Sequence, residues 1–378
     1  MKLWGLLLVA VACPACGDNA DDTRLLNPPR DQYRVWEKVE LPGTVCGNNS
    51  QYKFWVNWSN TSDNLVVVFE PGGACWDYDS CTGATGVMGA ANPNGLPDDH
   101  YSLAPFISPF LNPGDDASPS IDWNYVYVPY CTGDVHTGNA VADYEADDNS
   151  NGIEFHHEGH SDMEKVTEWI DSQFTHIPKM LVTGCSAGGV GALVNYHMLR
   201  HGVHAAEEGY LLDDSGPVFP SASYSGPMHH KIREAWNLDS LVSQMPSGFT
   251  PDDMGTINTA LADEFPHDRL ATTFFRRDDN FSLYSYNRFY DYPPKDQIMS
   301  MWNADTLQLT AEFGTRENLY YFIPYWRNLN SSHCTTVLTF AGSDIDDQNV
   351  TLADWIHDFV NDKPVTSHLQ DPVPGEDP

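Results

Sequence analysis

Positive charge is what this chain lacks most. Its 19 lysines and arginines stand against 53 aspartates and glutamates, a formal net charge of −34. Such a field repels nucleic acid and anionic lipid, which excludes both as partners. It also disfavours a heavily de-esterified polyuronate. A membrane-spanning run is lacking too: the apolar stretch Leu3 to Ala12 is too short to cross a bilayer. No Cys-x-x-Cys occurs beyond residue 16, so the later cysteines lack the spacing of a zinc site. No internal repeat is present, which excludes a solenoid.

What is present begins with a targeting segment. Lys2 and the apolar stretch after it make residues 1–16 a signal peptide. Cys13, after Ala10-Val11-Ala12, and Cys16, after Ala15, each resemble the acceptor cysteine of a bacterial lipoprotein. Cleavage without lipidation is the alternative, so the mature chain is expected in the cell envelope or free outside the cell. A lipid anchor would be its one membrane contact. Six cysteines follow: Cys46, Cys75, Cys81, Cys131, Cys185 and Cys334. An even count in an exported chain predicts three disulfides. Residues 17–30 are polar and acidic and read as a linker, and residues 362–378 read as a frayed tail. Between them, residues 31–361 form one domain, expected to be monomeric.

The centre of that domain is Gly184-Cys185-Ser186-Ala187-Gly188-Gly189. Lys179 to Thr183 before it reads as a buried strand. Val190 to Arg200 after it reads as a helix, with Leu193, Tyr196 and Leu199 on one face. Strand, Gly-x-Ser-x-Gly and helix make the nucleophile elbow of an α/β-hydrolase. Further strands are expected at Tyr52–Trp58, Asn64–Glu70, Trp123–Pro129, Gly209–Leu212, Phe281–Tyr290, Leu319–Trp326 and Thr335–Phe340. Helices are expected at 161–174, 228–246, 252–263, from Lys295 and at 352–360. Residues 82–120 read as a long surface excursion. The alternation predicts an α/β fold with a mostly parallel central sheet flanked by helices.

A serine nucleophile needs a base, and the base needs an orienting acid. The order in this fold is serine, acid, histidine. His333, late in the chain and in a short polar loop, is the expected base. His197, His201, His204, His229, His230, His267, His357 and His368 are weaker candidates by position. Asp291, directly after the expected 281–290 strand, is the first choice of acid, with Asp296 and Asp214 behind it. The amide of Ala187 and the Gly72-Gly73-Ala74 loop are placed to form an oxyanion hole. Trp76 and Asp134 are expected near the substrate. His156 and His160 are four apart, but Glu158 is not in the His-Glu-x-x-His place, so no metal and no cofactor are expected.

Five short motifs then occur in order: Gly-Gly-Ala-Cys-Trp at 72–76, Tyr-Cys-Thr-Gly-Asp at 130–134, Gly-Cys-Ser-Ala-Gly-Gly at 184–189, Asp-Ser-Gly at 214–216 and Ser-His-Cys at 332–334. Together they resemble the pectin acetylesterase and Notum-like carboxylesterases, from about Tyr52 to about Phe340. The resemblance implies hydrolysis of O-acyl esters, O-acetyl in the first instance, on a small ester or an acylated polysaccharide. It implies Ser186 as nucleophile and His333 as base. Tyr290-Asp291 followed by Gln297-Ile298 resembles the acid segment, although Pro293-Pro294 lengthens the gap and keeps Asp296 open. Feruloyl or aryl esters, a polyester, or a binding role without catalysis are the alternatives. Cys-Ser at 185–186 and His-Cys at 333–334 also resemble the tannase and feruloyl esterase arrangement, in which a disulfide joins the two catalytic segments. That resemblance implies Cys185–Cys334, since neighbours of a bonded serine and histidine are already close. Cys75–Cys81 is then a local pair, leaving Cys46 with Cys131.

Overall fold

Leu65-Val66-Val67-Val68-Phe69 has no polar face, and all five residues are buried. A strand of that kind needs cover on both sides, as in a sheet packed between helical layers. The computed structural model describes residues 25–83, 89–112, 117–146, 151–337 and 345–372. The signal-peptide segment lies outside these residues.

In chain order the elements are β1 (Trp36–Val45), β2 (Gln51–Asn57), β3 (Leu65–Phe69), α1 (Tyr78–Thr82), α2 (Ala104–Ile107), β4 (Asn124–Val128), β5 (Ala140–Tyr144) and β6 (Ile153–His157). Then come α3 (Gly159–Gln173), β7 (Ile177–Cys185), α4 (Ala187–Gly202), β8 (Ala206–Asp214), α5 (Gly226–Ala235), α6 (Thr256–Glu264), β9 (Arg269–Thr273) and α7 (Phe281–Tyr286). The last are α8 (Lys295–Phe313), β10 (Leu319–Ile323), β11 (Asp346–Asp347), β12 (Val350–Thr351), α9 (Leu352–Val360) and β13 (His368–Leu369). Nine strands form one sheet in the order β1-β2-β4-β3-β7-β8-β9-β10-β13. The β1/β2 and β2/β4 pairs are antiparallel. From β4 onward every neighbouring pair is parallel. This is the expected α/β-hydrolase-like sheet.

Alternate residues serve opposite faces, as the pleat demands. Val67, Phe69, Val126, Val182 and Leu211 pack under the helices that include α4 and α6. Val66, Val68, Tyr127, Leu181 and Leu212 pack against Phe110, Leu111 and the Trp355–Phe359 face of α9. Registers Phe69↔Gly184, Cys185↔Asp214 and Asp214↔Thr273 bring the carboxyl ends of β3, β7, β8 and β9 to one edge. Ligands of open α/β sheets bind at that edge.

Five sequence expectations need correction. Phe281–Tyr290 is not a strand: α7 occupies Phe281–Tyr286, with Ser282, Ser285 and Tyr286 buried on one helical face. The parallel strand in this region is β9, whose small and hydroxyl residues Ala271, Thr272 and Thr273 mask its apolar character. Thr335–Val337 is a turn and not a strand, because Asp214 takes its amides; residues 338–340 lie outside the described set. The 82–120 stretch is not all surface, since Ala104, Phe110 and Leu111 are core residues. At the ends, residues 25–30 of the expected linker are docked: Asn27 Nδ2 donates to His176 O at 2.7 Å and Arg30 lies 3.7 Å over the Trp58 ring. In the expected tail, β13 pairs with β10 and His368 Nδ1 lies 3.0 Å from Asp347 Oδ2.

Candidate active site

Ser186 follows the last residue of β7 and caps α4 with φ 57° and ψ −122°. A non-glycine residue there is strained, and the neighbours hold it in place. Its amide donates to Asp214 O at 2.8 Å, and its carbonyl accepts from Val190 N at 3.1 Å. A Cβ on Gly188 would sit 2.2 Å from Phe69 O, and one on Gly184 would sit 2.5 Å from Gly188 O. Glycine at both positions lets α4 descend onto β3 and β7. The turn presents Ser186, with Ala187 beside it, to a large cavity.

The loop after β3 faces the same cavity with Gly72, Gly73, Ala74 and Trp76. Four successive carbonyls in it are held from outside. Gly72 O accepts from Ala91 N at 3.1 Å and Gly73 O from Tyr130 Oη at 2.9 Å. Ala74 O accepts from Tyr284 Oη at 2.5 Å, and Cys75 O from Trp236 Nε1 at 2.7 Å. In a trans peptide the N–H points opposite the C=O. Holding the Gly72 carbonyl therefore turns the Gly73 amide away from the loop's supports.

His333 follows a short 3₁₀ turn at Asn330–Ser332 and is 4% exposed. Its Nδ1 lies 2.7 Å from Oδ2 of fully buried Asp278. The other carboxylate oxygen, Asp278 Oδ1, accepts from the amides of Asn280 at 2.9 Å and Phe281 at 2.8 Å, and so caps the start of α7. Burial alone would depress the His333 pKa; the Asp278 charge and hydrogen bond outweigh it and raise the pKa above the ordinary histidine value. Ser186 and His333 line one cavity, and Cys185–Cys334 joins their chain neighbours with a Cα separation of 5.7 Å. Cys46–Cys131 and Cys75–Cys81 complete the three expected disulfides.

Asp291 does not reach His333. It is exposed, with φ 55°, in the turn after α7. Asp296 is also exposed, in the first turn of α8. The strand that Asp291 is expected to follow is a helix; the carboxylate beside His333 follows β9 instead. Asp214 is buried and close, with a different task. Its two oxygens accept from the amides of Thr335 and Thr336, both at 2.8 Å, and from both threonine hydroxyls. It fixes the segment just past His333. Asp278 carries only a weak signal in the sequence: Leu270, Phe274 and Phe275 precede it but are interrupted by Ala271-Thr272-Thr273, and Ser282-Leu283-Tyr284-Ser285 after it suits a helix as well as a strand.

Asp134 lies beneath the site and does not line the cavity. Its carboxylate accepts from Thr132 Oγ1 at 2.6 Å and from the amides of His136, Gly138 and Gly159 at 3.1, 3.0 and 2.9 Å. Burial pushes its pKa up to about 6 despite these donors. His136 is likewise buried, held to Glu70 O at 3.0 Å, with its pKa pushed down to about 4 by burial. The histidines at 156–160 diverge. His156 meets Glu154 and Glu158, His157 meets Thr132 O and Tyr144 Oη, and His160 meets Gln244. Among the described residues, two other His/Cys groups contain disulfide cysteines, which offer no thiolate; His197, His201 and Glu264 form a third.

The cavity measures about 680 Å³. Beyond the polar edge its wall is apolar: Val194 and Met198 of α4, Met228 and Ile232 of α5, Met245 and Ile257. Trp76 and Tyr284, which also line it, meet edge to face with ring centroids 5.8 Å apart.

A serine on a strained strand-to-helix turn, with a buried His–Asp pair at the same sheet edge, defines the α/β-hydrolase class. A model of the pectinacetylesterase family matches residues 33–275, and the chain belongs to that family. It is similar to pectin acetylesterase 4 of Arabidopsis thaliana, 24% identical over 173 residues, which are 45% of this chain and 40% of that protein. It is also similar to the palmitoleoyl-protein carboxylesterase NOTUM of Schmidtea mediterranea, 23% identical over 177 residues, 45% of this chain and 31% of that protein. These matches thus span less than half of each relative. A crystal structure of the Wnt deacylase Notum from Drosophila has the same fold: TM-score 0.60 and 17% identity, over 89% of this chain and 97% of that one.

Proposed function

We propose that the protein is a carboxylic ester hydrolase working through an acyl-enzyme, with Ser186 as nucleophile, His333 as base and Asp278 as orienting acid. The observation that carries this reading is the buried Asp278–His333 hydrogen bond of 2.7 Å, beside a cavity that Ser186 also lines. Asp278 accepts a hydrogen bond from Nδ1–H, which leaves the Nε2 lone pair of His333 for the serine. Ser186 Oγ attacks the ester carbonyl as its proton passes to His333 Nε2. Negative charge on the carbonyl oxygen meets the amides of Ala187 and Gly73, with Ala74 behind them. The tetrahedral intermediate collapses, the C–O bond to the alcohol breaks, and His333 returns the proton to that alcohol. Water then adds to the acyl-enzyme by the same route and frees the acid.

The acyl group is proposed to be larger than acetyl. The names of the relatives cover both acetyl and palmitoleoyl esters. An acetyl group would fill little of the 680 Å³ cavity or its apolar wall of Val194, Met198, Met228 and Ile232. Each buried methylene contributes about 0.8 kcal/mol, so kcat/KM should rise about fourfold per carbon until the cavity is full. The alcohol portion is a neutral small molecule or an acylated polysaccharide, consistent with the charge of −34. Feruloyl or aryl esters are the second reading, favoured by the Trp76–Tyr284 aromatic pair in the cavity wall. The protein is proposed to act outside the cytoplasm as a monomer, and its three disulfides support an oxidising compartment.

A panel of p-nitrophenyl esters from acetate to laurate, with methyl ferulate and Ser186→Ala as control, tests this. Turnover that rises with chain length and vanishes in the variant is expected. Turnover unchanged in Ser186→Ala would refute the mechanism, and a maximum at acetate would refute the acyl assignment.

A further inference from the structure

Two histidines and a glutamate converge away from the serine, on the far part of the elbow helix. His197 and His201 are four residues apart on α4 and therefore share a helical face. Their rings meet edge to face with centroids 4.6 Å apart. Glu264, the last residue of α6, reaches across to both. A single oxygen, Glu264 Oε1, lies 3.0 Å from His197 Nε2 and 2.6 Å from His201 Nε2. One ligand atom from each of the three lies within 4.8 Å of the others. A tetrahedral ion with bonds of about 2.0–2.1 Å spaces its ligand atoms by roughly 3.3 Å. The three atoms are thus near binding distance before any side chain moves.

The surroundings hold the set in place. Glu264 Oε2 accepts from Ser247 N at 3.1 Å, which fixes the carboxylate. Phe265 packs against both rings, at 6.2 Å from His197 and 5.3 Å from His201. His201 is exposed on its outer side, so water can complete the coordination shell. We infer that His197, His201 and Glu264 form a binding site for a divalent transition ion of the zinc type, joining α4 to the end of α6. Two imidazoles and one carboxylate suit zinc, copper or nickel and not magnesium or calcium, which prefer oxygen ligands throughout. Both helices wall the apolar cavity, α4 through Val194 and Met198 and α6 through Ile257. An ion there would hold the two walls together without touching the reacting ester.

Isothermal titration of the EDTA-stripped, dialysed protein with zinc chloride tests the site, with magnesium chloride as the parallel titrant. One zinc per chain and no response to magnesium are expected. Affinity for that ion should fall ten- to a hundredfold or more in His201→Gln and in Glu264→Gln. Ser186→Ala should bind zinc like the parent chain. At a zinc concentration a hundredfold above Kd, the melting temperature should rise by roughly 3–4 °C in the parent chain and not in the two site variants. Melting curves without metal establish that the variants fold; His201, at 56% side-chain exposure, is the safer of the two. No zinc binding, or binding that both variants retain, would overturn the site and reduce the cluster to hydrogen-bonded pairs.

Discussion

The two halves of the site are built differently. The nucleophile half is one unbroken stretch, β7–Ser186–α4, whose geometry follows from residues adjacent in sequence. The acid–base half is assembled across the chain. Asp278 and His333 are 55 residues apart, Asp214 and Thr335 are 121 apart, and Cys185 and Cys334 are 149 apart. Strain at Ser186 is imposed by two glycines and a helix. The position of His333 is imposed by a carboxylate on its ring, a carboxylate on Thr335 and Thr336, and a disulfide. Loss of the Ser186 hydroxyl should therefore act on chemistry alone, and damage to the second half on chemistry, pH response and stability together.

The sharpest break in that comparison is at Asp278. Asp278→Asn should lower kcat by about 10⁴, because the amide can no longer hold the His333 tautomer. The pH profile carries a second signature. In the proposed mechanism the base form of His333 is the active one, and Asp278 raises its pKa, so activity should fall on the acid side at a higher pH than for an ordinary histidine. Removing the charge should move that limb to lower pH. Asp291→Asn should leave both rate and profile within twofold of the parent, since Asp291 is exposed and distant in function. Steady-state kinetics from pH 5 to 9 check all of these.

Next in size is the clamp between the halves. A Cys185→Ser/Cys334→Ser double variant should lose about 4 kcal/mol of stability, read by urea unfolding, because the bridge closes a loop of 149 residues. The same change made at Cys75 and Cys81, only 6 residues apart, should cost less.

Smaller per pH unit is the effect of the buried carboxylate beside the clamp. Asp213 is held near 8 by burial, well above its unfolded value. The folded state keeps the proton while the unfolded state releases it, so stability is full below about pH 4 and is lost as pH rises towards 8. One proton limits the slope to about 1.4 kcal/mol per pH unit. Asp213→Asn should flatten that part of the curve, and melting scans between pH 4 and 8 measure it. The smallest predicted effect is at the loop after β3. Tyr284→Phe removes the donor to Ala74 O and should lower kcat about tenfold with little change in KM.

The same contrast explains what the sequence made legible. Gly184, Ser186 and Gly188 carry their geometry in their own spacing, and Leu65–Phe69 can hardly be anything but a buried strand. His333 was readable because it is late, polar and beside a cysteine. Asp278 was not, because the strand before it ends in Ala271-Thr272-Thr273, while the aromatic residues of 281–290 imitate a strand that the Asp278 cap turns into a helix. Asp134 reads as a pocket residue by its neighbours, yet four donors bury it under the loop. In both cases the deciding contacts join residues that no local pattern relates.

The central claim is that Asp278, through His333, activates Ser186. Labelling by a fluorophosphonate, mapped by peptide mass spectrometry and followed in time, tests it without any assumption about the natural ester. One label per chain on Ser186 is predicted, slowed at least a hundredfold in Asp278→Asn and unchanged in Asp291→Asn. A label on another residue, or Ser186 labelling that Asp291→Asn slows and Asp278→Asn does not, would contradict it.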